Sequence, residues 1–210
     1  MKITTPLFEA GLKCLTKCFL RSHAQTGTGN AYADWVRTQV ESYRNAGMKG
    51  VVVGAEHDEC IIGSPGTENW KTVKWRLAVD LVALAQDLES SLHAVERVPS
   101  EGRGQTGQFI PIRFIFTNKL TWDDKLLLAF DALVLSDMLG RKVGLGKIIH
   151  GDDHATLKVK TPTLAREVRK LIGKVTTLLS SPSPPDLILN LNIPRSLLRG
   201  SPLLPRSLRN

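Results

Sequence analysis

The sequence has little of what marks several large protein classes. Its three cysteines, Cys14, Cys18 and Cys60 in 210 residues, are too few and too unevenly spaced for a disulfide framework, and free thiols suit a reducing compartment. No stretch approaches the roughly 18–20 unbroken apolar residues that a membrane helix needs, and "MKITTPLFEAGLKC" lacks the apolar core of a signal peptide. A cytoplasmic protein with no membrane contact is therefore the expectation. No G-x-S-x-G elbow is present, so acyl transfer gets no support. Acidic residues are also outnumbered, 20 against 28 basic, yet the imbalance is local. From residue 161 onward eight basic residues face only Glu167 and Asp186, which leaves the first 160 residues close to neutral. Net charge alone is thus weak support for a phosphate-binding groove.

What is present fits one domain with a substantial core: 42% of residues are hydrophobic and 23% charged. Apolar residues at helical spacing from Pro6 to about His23 predict one amphipathic helix with Cys14 and Cys18 on its apolar side. Asn30 can cap a second helix through "AYADWVRTQVESYRNAG", with a stripe of Tyr32, Trp35, Val36, Val40 and Tyr43 and a stop at Gly47. "KGVVVGA" then reads as a short strand. "KWRLAVDLVALAQ" and "SLHAVERVP" form a hairpin about the turn "DLES". "QFIPIRFIF" adds a third strand, in which Pro111 predicts a free edge or a bulge. "TWDDKLLLAFDALVLSDMLGR" has Thr121 as N-cap, Asp123 and Asp124 in the first turn and Gly140 as stop. "GLGKIIHGDDHATLKVK" reads as two strands about a polar turn, and "TPTLAREVRKLIGKVTTLLSS" as a last amphipathic helix.

The Gly-rich loop "SEGRGQTG" lies between two strand-like runs and lacks the Lys-Ser/Thr ending of a P-loop, so it reads as a strand connection. "HGDDH", His150 to His154, holds two histidines and two carboxylates. A tight turn splays such side chains apart, and a polar turn is the preferred reading over a metal site. Residues 1–180 are assigned to the domain and 181–210 to a Pro-rich linker and a disordered tail. Sixteen of the last twenty residues are Leu, Arg, Ser or Pro.

The predicted order is an N-terminal helical pair, a three-stranded meander, a helix, a strand pair and a C-terminal helix. Its helix, three-stranded meander, helix, strand part resembles the α/β restriction-endonuclease-like core of PD-(D/E)xK nucleases. "LFEAGLKCLTKCFLRS" resembles the N-terminal cysteine helix of RecB-type nucleases, above all the CRISPR-associated iron–sulfur exonucleases. "LHAVERVPSEGRG", "FIPIRF" and "DDKLLLAFDALVLS" resemble phrases of a RecB-like nuclease subfamily. The resemblance covers roughly residues 3–190. It implies a cytoplasmic DNA-processing hydrolase, a fragment of a larger protein, acting on DNA, including single strands, beside a helicase domain or partner.

The resemblance also implies cofactors. In the family one N-terminal cysteine and three C-terminal ones hold a [4Fe–4S] cluster. Cys14 takes the N-terminal place, but "LNIPRSLLRGSPLLPRSLRN" stands where the other three should follow, so the cluster is expected to be absent from this chain. A reading frame shifted near residue 190 in a truncated parent is one account of that tail; an authentic disordered tail is the other. The family's carboxylates hold Mg²⁺ or Mn²⁺, and its lysine activates water. Glu96 matches the first acid and is the candidate metal ligand. The third strand offers Arg113 where an acid and a lysine belong, and the following helix places Leu127 and Asp131 at the family's glutamine and tyrosine. Asp131 is then a substitute carboxylate facing the same site, and Arg113 a phosphate ligand, because a guanidinium stays protonated. The alternative is a nuclease fold that binds DNA or a helicase partner without cutting.

Overall fold

The computed structural model describes residues 2–24, 30–55, 59–64, 75–99 and 107–185. The loop "SEGRGQTG", except Gly107, and the chain from Asp186 on lie outside them, so the readings made there do too. The described residues form an α/β fold with five α-helices and one mixed seven-stranded sheet. The strands are β1 (Ile3–Thr4), β2 (Cys60–Ile62), β3 (Leu77–Ala85), β4 (Leu88–Val98), β5 (Gln108–Ile115), β6 (Leu145–His150) and β7 (Ala155–Lys160). The main path runs β2-β3-β4-β5-β6-β7, with β1 paired to β4 off that path. β3, β4 and β5 are antiparallel neighbours, β5 and β6 are parallel, and β6 and β7 form a hairpin.

Helices cover both faces. α1 (Thr5–Lys13), α2 (Leu15–Ser22), α4 (Trp122–Leu139) and α5 (Ala165–Leu179) form one layer, and α3 (Ala31–Val53) lies on the opposite face over β3, β4 and β5. The larger core lies in the first layer, where Phe8 of α1 stacks on Phe130 of α4 at 4.3 Å between ring centroids. A smaller cluster of Leu77, Val79, Ala94, Ile112 and Phe114 packs under α3.

α4 starts and stops where its sequence predicts. Thr121 and Asp124 exchange hydrogen bonds in a capping box, and Gly140 closes the helix at φ 63°, a conformation that glycine adopts without strain. Pro111 sits one residue before the β5–β6 ladder begins at Ile112, so its missing N–H interrupts no pairing to β6.

Three elements differ from the sequence reading. The N-terminal helix is two helices, because Cys14 adopts an extended conformation (φ −166°, ψ 128°) between α1 and α2. Cys14 is consequently exposed while Cys18 is buried. The β3–β4 turn is the two residues Gln86 and Asp87, so most of "DLES" belongs to β4. Finally α3 does not stop at Gly47: it continues through "KGVVV" to Val53, and no strand forms there.

Gly47 serves packing instead. A Cβ built on it would lie 2.3 Å from the Phe114 ring, so only a bare backbone lets α3 approach β5 this closely. Gly47→Ala gains roughly 1 kcal/mol of helix propensity, but forcing the ring aside costs roughly 1–3 kcal/mol. The expected net loss is about 1 kcal/mol, read as a lower urea midpoint with unchanged slope; a stabilised variant would refute the close-approach account.

Both strands of the β3–β4 hairpin change face midway. Leu77 and Val79 belong to the α3-side cluster, whereas Leu81 and Ala83, of the same parity, belong to the α4-side core. Asp80 lies between them at φ 55°, a left-handed conformation that aspartate tolerates better than most residues. An ion pair with Arg44 of α3 holds it. Opposite, Leu92 faces the α4-side core and Ala94 the α3-side cluster, so β4 switches at His93.

Candidate functional site

The residues marked by sequence divide between the two faces of the sheet. Glu96 follows Ala94 by two residues, on the α3 side. It forms an ion pair with Lys147, which stands on β6 in register with Ile112, another α3-side residue. The β7 residues Lys158 and Lys160 alternate onto that face and are exposed; Lys158 lies directly opposite Lys147. Glu96 on β4 therefore reaches across β5 to the edge of a cationic strip that runs along β6 and β7. Lys147 was not marked by sequence, although one charged residue in the otherwise apolar "GLGKII" was a usable signal.

Arg113 and Asp131 meet each other on the opposite side, away from Glu96. Arg113 Nε donates to Asp131 Oδ2 at 2.5 Å and Nη2 to Oδ1 at 2.8 Å, while Ser90 Oγ donates to Oδ1 at 2.6 Å. Arg113 is 5% exposed, Asp131 1% and Ser90 0%. Burial pushes the Asp131 carboxyl above its usual range, and Arg113 and Ser90 pull it back; the guanidinium is held more firmly protonated by Asp131 than burial alone would allow.

This network fills a split in the sheet. The β4–β5 ladder runs from Ala94 to Val98 on β4, and β1 takes the vacated edge of β4 at Leu88 and Glu89. Within the gap the Ser91 amide donates to Thr5 Oγ1 at 2.9 Å, and the Phe114 amide donates to His93 Nδ1 at 3.1 Å. Diverging strands leave main-chain groups unpaired, and side chains must satisfy them. His93 can accept that bond only as the neutral Nε2–H tautomer. Burial first, then the Arg113 and Arg44 charges, hold its pKa well below the usual histidine range.

These positions can be tested against the expected cofactors. A two-metal or one-metal nuclease centre needs convergent carboxylates. Here Asp131 is saturated by its partners, and Glu96 lies on the other face against Lys147. No group of three or more His, Cys, Asp and Glu side chains among the described residues is arranged to hold a metal. The carboxylates among the described residues do not fit a metal-dependent hydrolytic centre.

The thiols fit a cluster no better among the described residues. Cys18 is buried with its Sγ directed to the Leu7 carbonyl oxygen at 3.3 Å, and Cys60 lies on β2, at the far end of the main strand path. Only Cys14 is exposed. Its thiol pKa is lowered, chiefly by the Lys17 amide in the first turn of α2. Leu15, next to it in sequence, lines a groove together with Ser181, Ser183, Pro184 and Pro185.

The "HGDDH" segment is a turn that ties elements together. Asn118 and Asp152 exchange two 2.9 Å hydrogen bonds, Tyr43 Oη donates to the Gly151 carbonyl at 2.8 Å, and the His154 ring stacks on Tyr43. It fixes α3 to the β6–β7 turn.

Compared with known proteins, the chain matches no family model and no curated sequence. No helix among the described residues is long and apolar enough to cross a membrane.

Proposed function

We propose that this chain is a restriction-endonuclease-like, RecB-related module that holds DNA without hydrolysing it. The order meander, α4, β6 supports the fold reading. The observation that carries the function is the Glu96–Lys147 ion pair at the edge of the strip of Lys158 and Lys160. A lone carboxylate neutralised by lysine is a poor metal ligand, while exposed lysines along one face suit phosphodiester oxygens.

The test is fluorescence anisotropy with a dT20 oligonucleotide across a salt series, together with a cleavage assay in Mg²⁺ and Mn²⁺. Binding should weaken with salt and no cleavage should occur. Lys158→Gln with Lys160→Gln should weaken binding about tenfold and flatten the slope of log K against log salt by roughly 0.7 per lost phosphate contact. Absence of binding at 50 mM salt would remove this reading.

A second reading has one observation in its favour. Glu96 and Lys147, an acid and a lysine in contact, are two of the residue types a PD-(D/E)xK hydrolase uses. Mn²⁺-dependent cleavage that disappears in Glu96→Ala would establish that reading over the first.

A further inference from the structure

A concave site lies in the layer of α4 and α5, away from the Lys147 strip. Between the C-terminal end of α4 and the start of α5 there is a pocket of about 650 Å³, inside the roughly 300–1,000 Å³ range of small-molecule sites. Its floor is apolar, from Ala129, Ala132, Val143, Pro162 and Ala165. Its polar wall carries Arg141, Lys142 and Arg169 against the single acid Asp137. None of these three cations is in an ion pair among the described residues.

Arg141 is held in place. Its guanidinium lies 4.5 Å above the centre of the Phe109 ring, and such stacking fixes a planar cation. Arg97, in register with Phe109 on the neighbouring strand, stands close enough to disfavour the charge on Arg141, adding to the effect of burial. Two arginines this close repel each other, and an anion beside Arg141 relieves that repulsion.

We infer that this pocket binds a phosphate ester whose other end carries hydroxyl or amino groups. Arg141, Lys142 and Arg169 take the phosphate dianion, Asp137 accepts from the ligand's donors, and the Ala and Pro floor packs against its apolar part. Arg141 offers the paired N–H geometry that phosphate oxygens match. The inference is independent of DNA binding at Lys147, Lys158 and Lys160.

Adenosine 5′-monophosphate is the probe, with adenosine as the phosphate-free control, by calorimetric titration of the full chain in 50 mM salt. The nucleotide should bind, adenosine should bind at least tenfold more weakly, and Lys142→Gln with Arg169→Gln should lower nucleotide affinity at least tenfold. Both residues are exposed, so that variant should keep the wild-type denaturant midpoint; Arg141→Gln should act likewise on affinity. Lys158→Gln with Lys160→Gln should leave nucleotide binding unchanged. Equal affinity for nucleotide and nucleoside, or wild-type affinity in the Lys142/Arg169 variant, would overturn the inference. Competition by dT12 would assign the phosphate to a nucleic-acid backbone, and lack of competition would assign it to a free ester; the pocket stands in both cases.

Discussion

Replacing Arg113 with methionine is expected to lower the unfolding free energy by about 3–5 kcal/mol, the usual cost of leaving a buried charge without its partner. Asp131 would lose two of the three hydrogen bonds it accepts, keeping only that from Ser90. It would have to take up a proton to remain inside. Asp131→Leu alone strands the guanidinium instead and should cost a similar amount. The double variant should recover most of the loss, because two apolar side chains of matching volume need no solvation. Urea titration followed by circular dichroism measures all three. Independent, additive losses would mean that the two residues do not act as a pair. Arg113→Lys should also be costly, since an ammonium cannot make the two-pronged contact.

The second large effect is at His93. His93→Leu leaves the Phe114 amide in the sheet split without an acceptor, an expected loss of about 2–3 kcal/mol at pH 7.5. The pH dependence follows from the direction of its shift. A histidine that stays neutral in the folded state binds fewer protons there than when unfolded, so stability rises with pH through this window. The contribution is complete above the ordinary value near 6.5 and is lost as pH falls from there through the depressed folded value. The slope attributable to this one proton approaches 1.4 kcal/mol per pH unit at most. Subtracting the His93→Leu curve from wild type cancels carboxylate titrations common to both. A flat difference between pH 7 and pH 5 would contradict the half-buried, neutral imidazole. His93→Asn, which keeps an acceptor without a titratable ring, should lose the slope with a smaller loss at neutral pH.

Much of the fold was legible where short-range chemistry decides it. Thr121, Asp124 and Gly140 delimit α4 through contacts within a turn of themselves, and Asn30 caps α3 by accepting from the Ala33 amide. The meander and the β6–β7 hairpin followed from apolar runs between turn residues. What escaped reading depends on distant partners. Gly47 signals a stop to a local rule, yet its meaning lies with Phe114 in another element. "LAVDLVALA" looks like one unbroken strand, and only the Asp80 conformation shows that its inner side changes. Cys14 carries no breaker signal at all.

The site was legible in part. Glu96, Arg113 and Asp131 were marked as one constellation because motif spacing in one dimension cannot say which face of a sheet a residue occupies. Strand parity supplies that information only where pairing is regular. Here Glu96 and Arg113 stand on neighbouring strands but opposite faces, and Lys147, the actual partner of Glu96, comes 51 residues later.

The change of face at Asp80 and His93 has a mechanical consequence. One half of the β3–β4 hairpin is the floor for α3, and the other half is the floor for α4, so a single rigid ribbon is rooted in both helical layers. Neither layer can peel away without tearing the ribbon the other stands on. Melting should then travel through the whole molecule as one event, and the lysine strip on the α3 side of the sheet keeps a fixed distance from the pocket beside α5 for as long as the ribbon is intact.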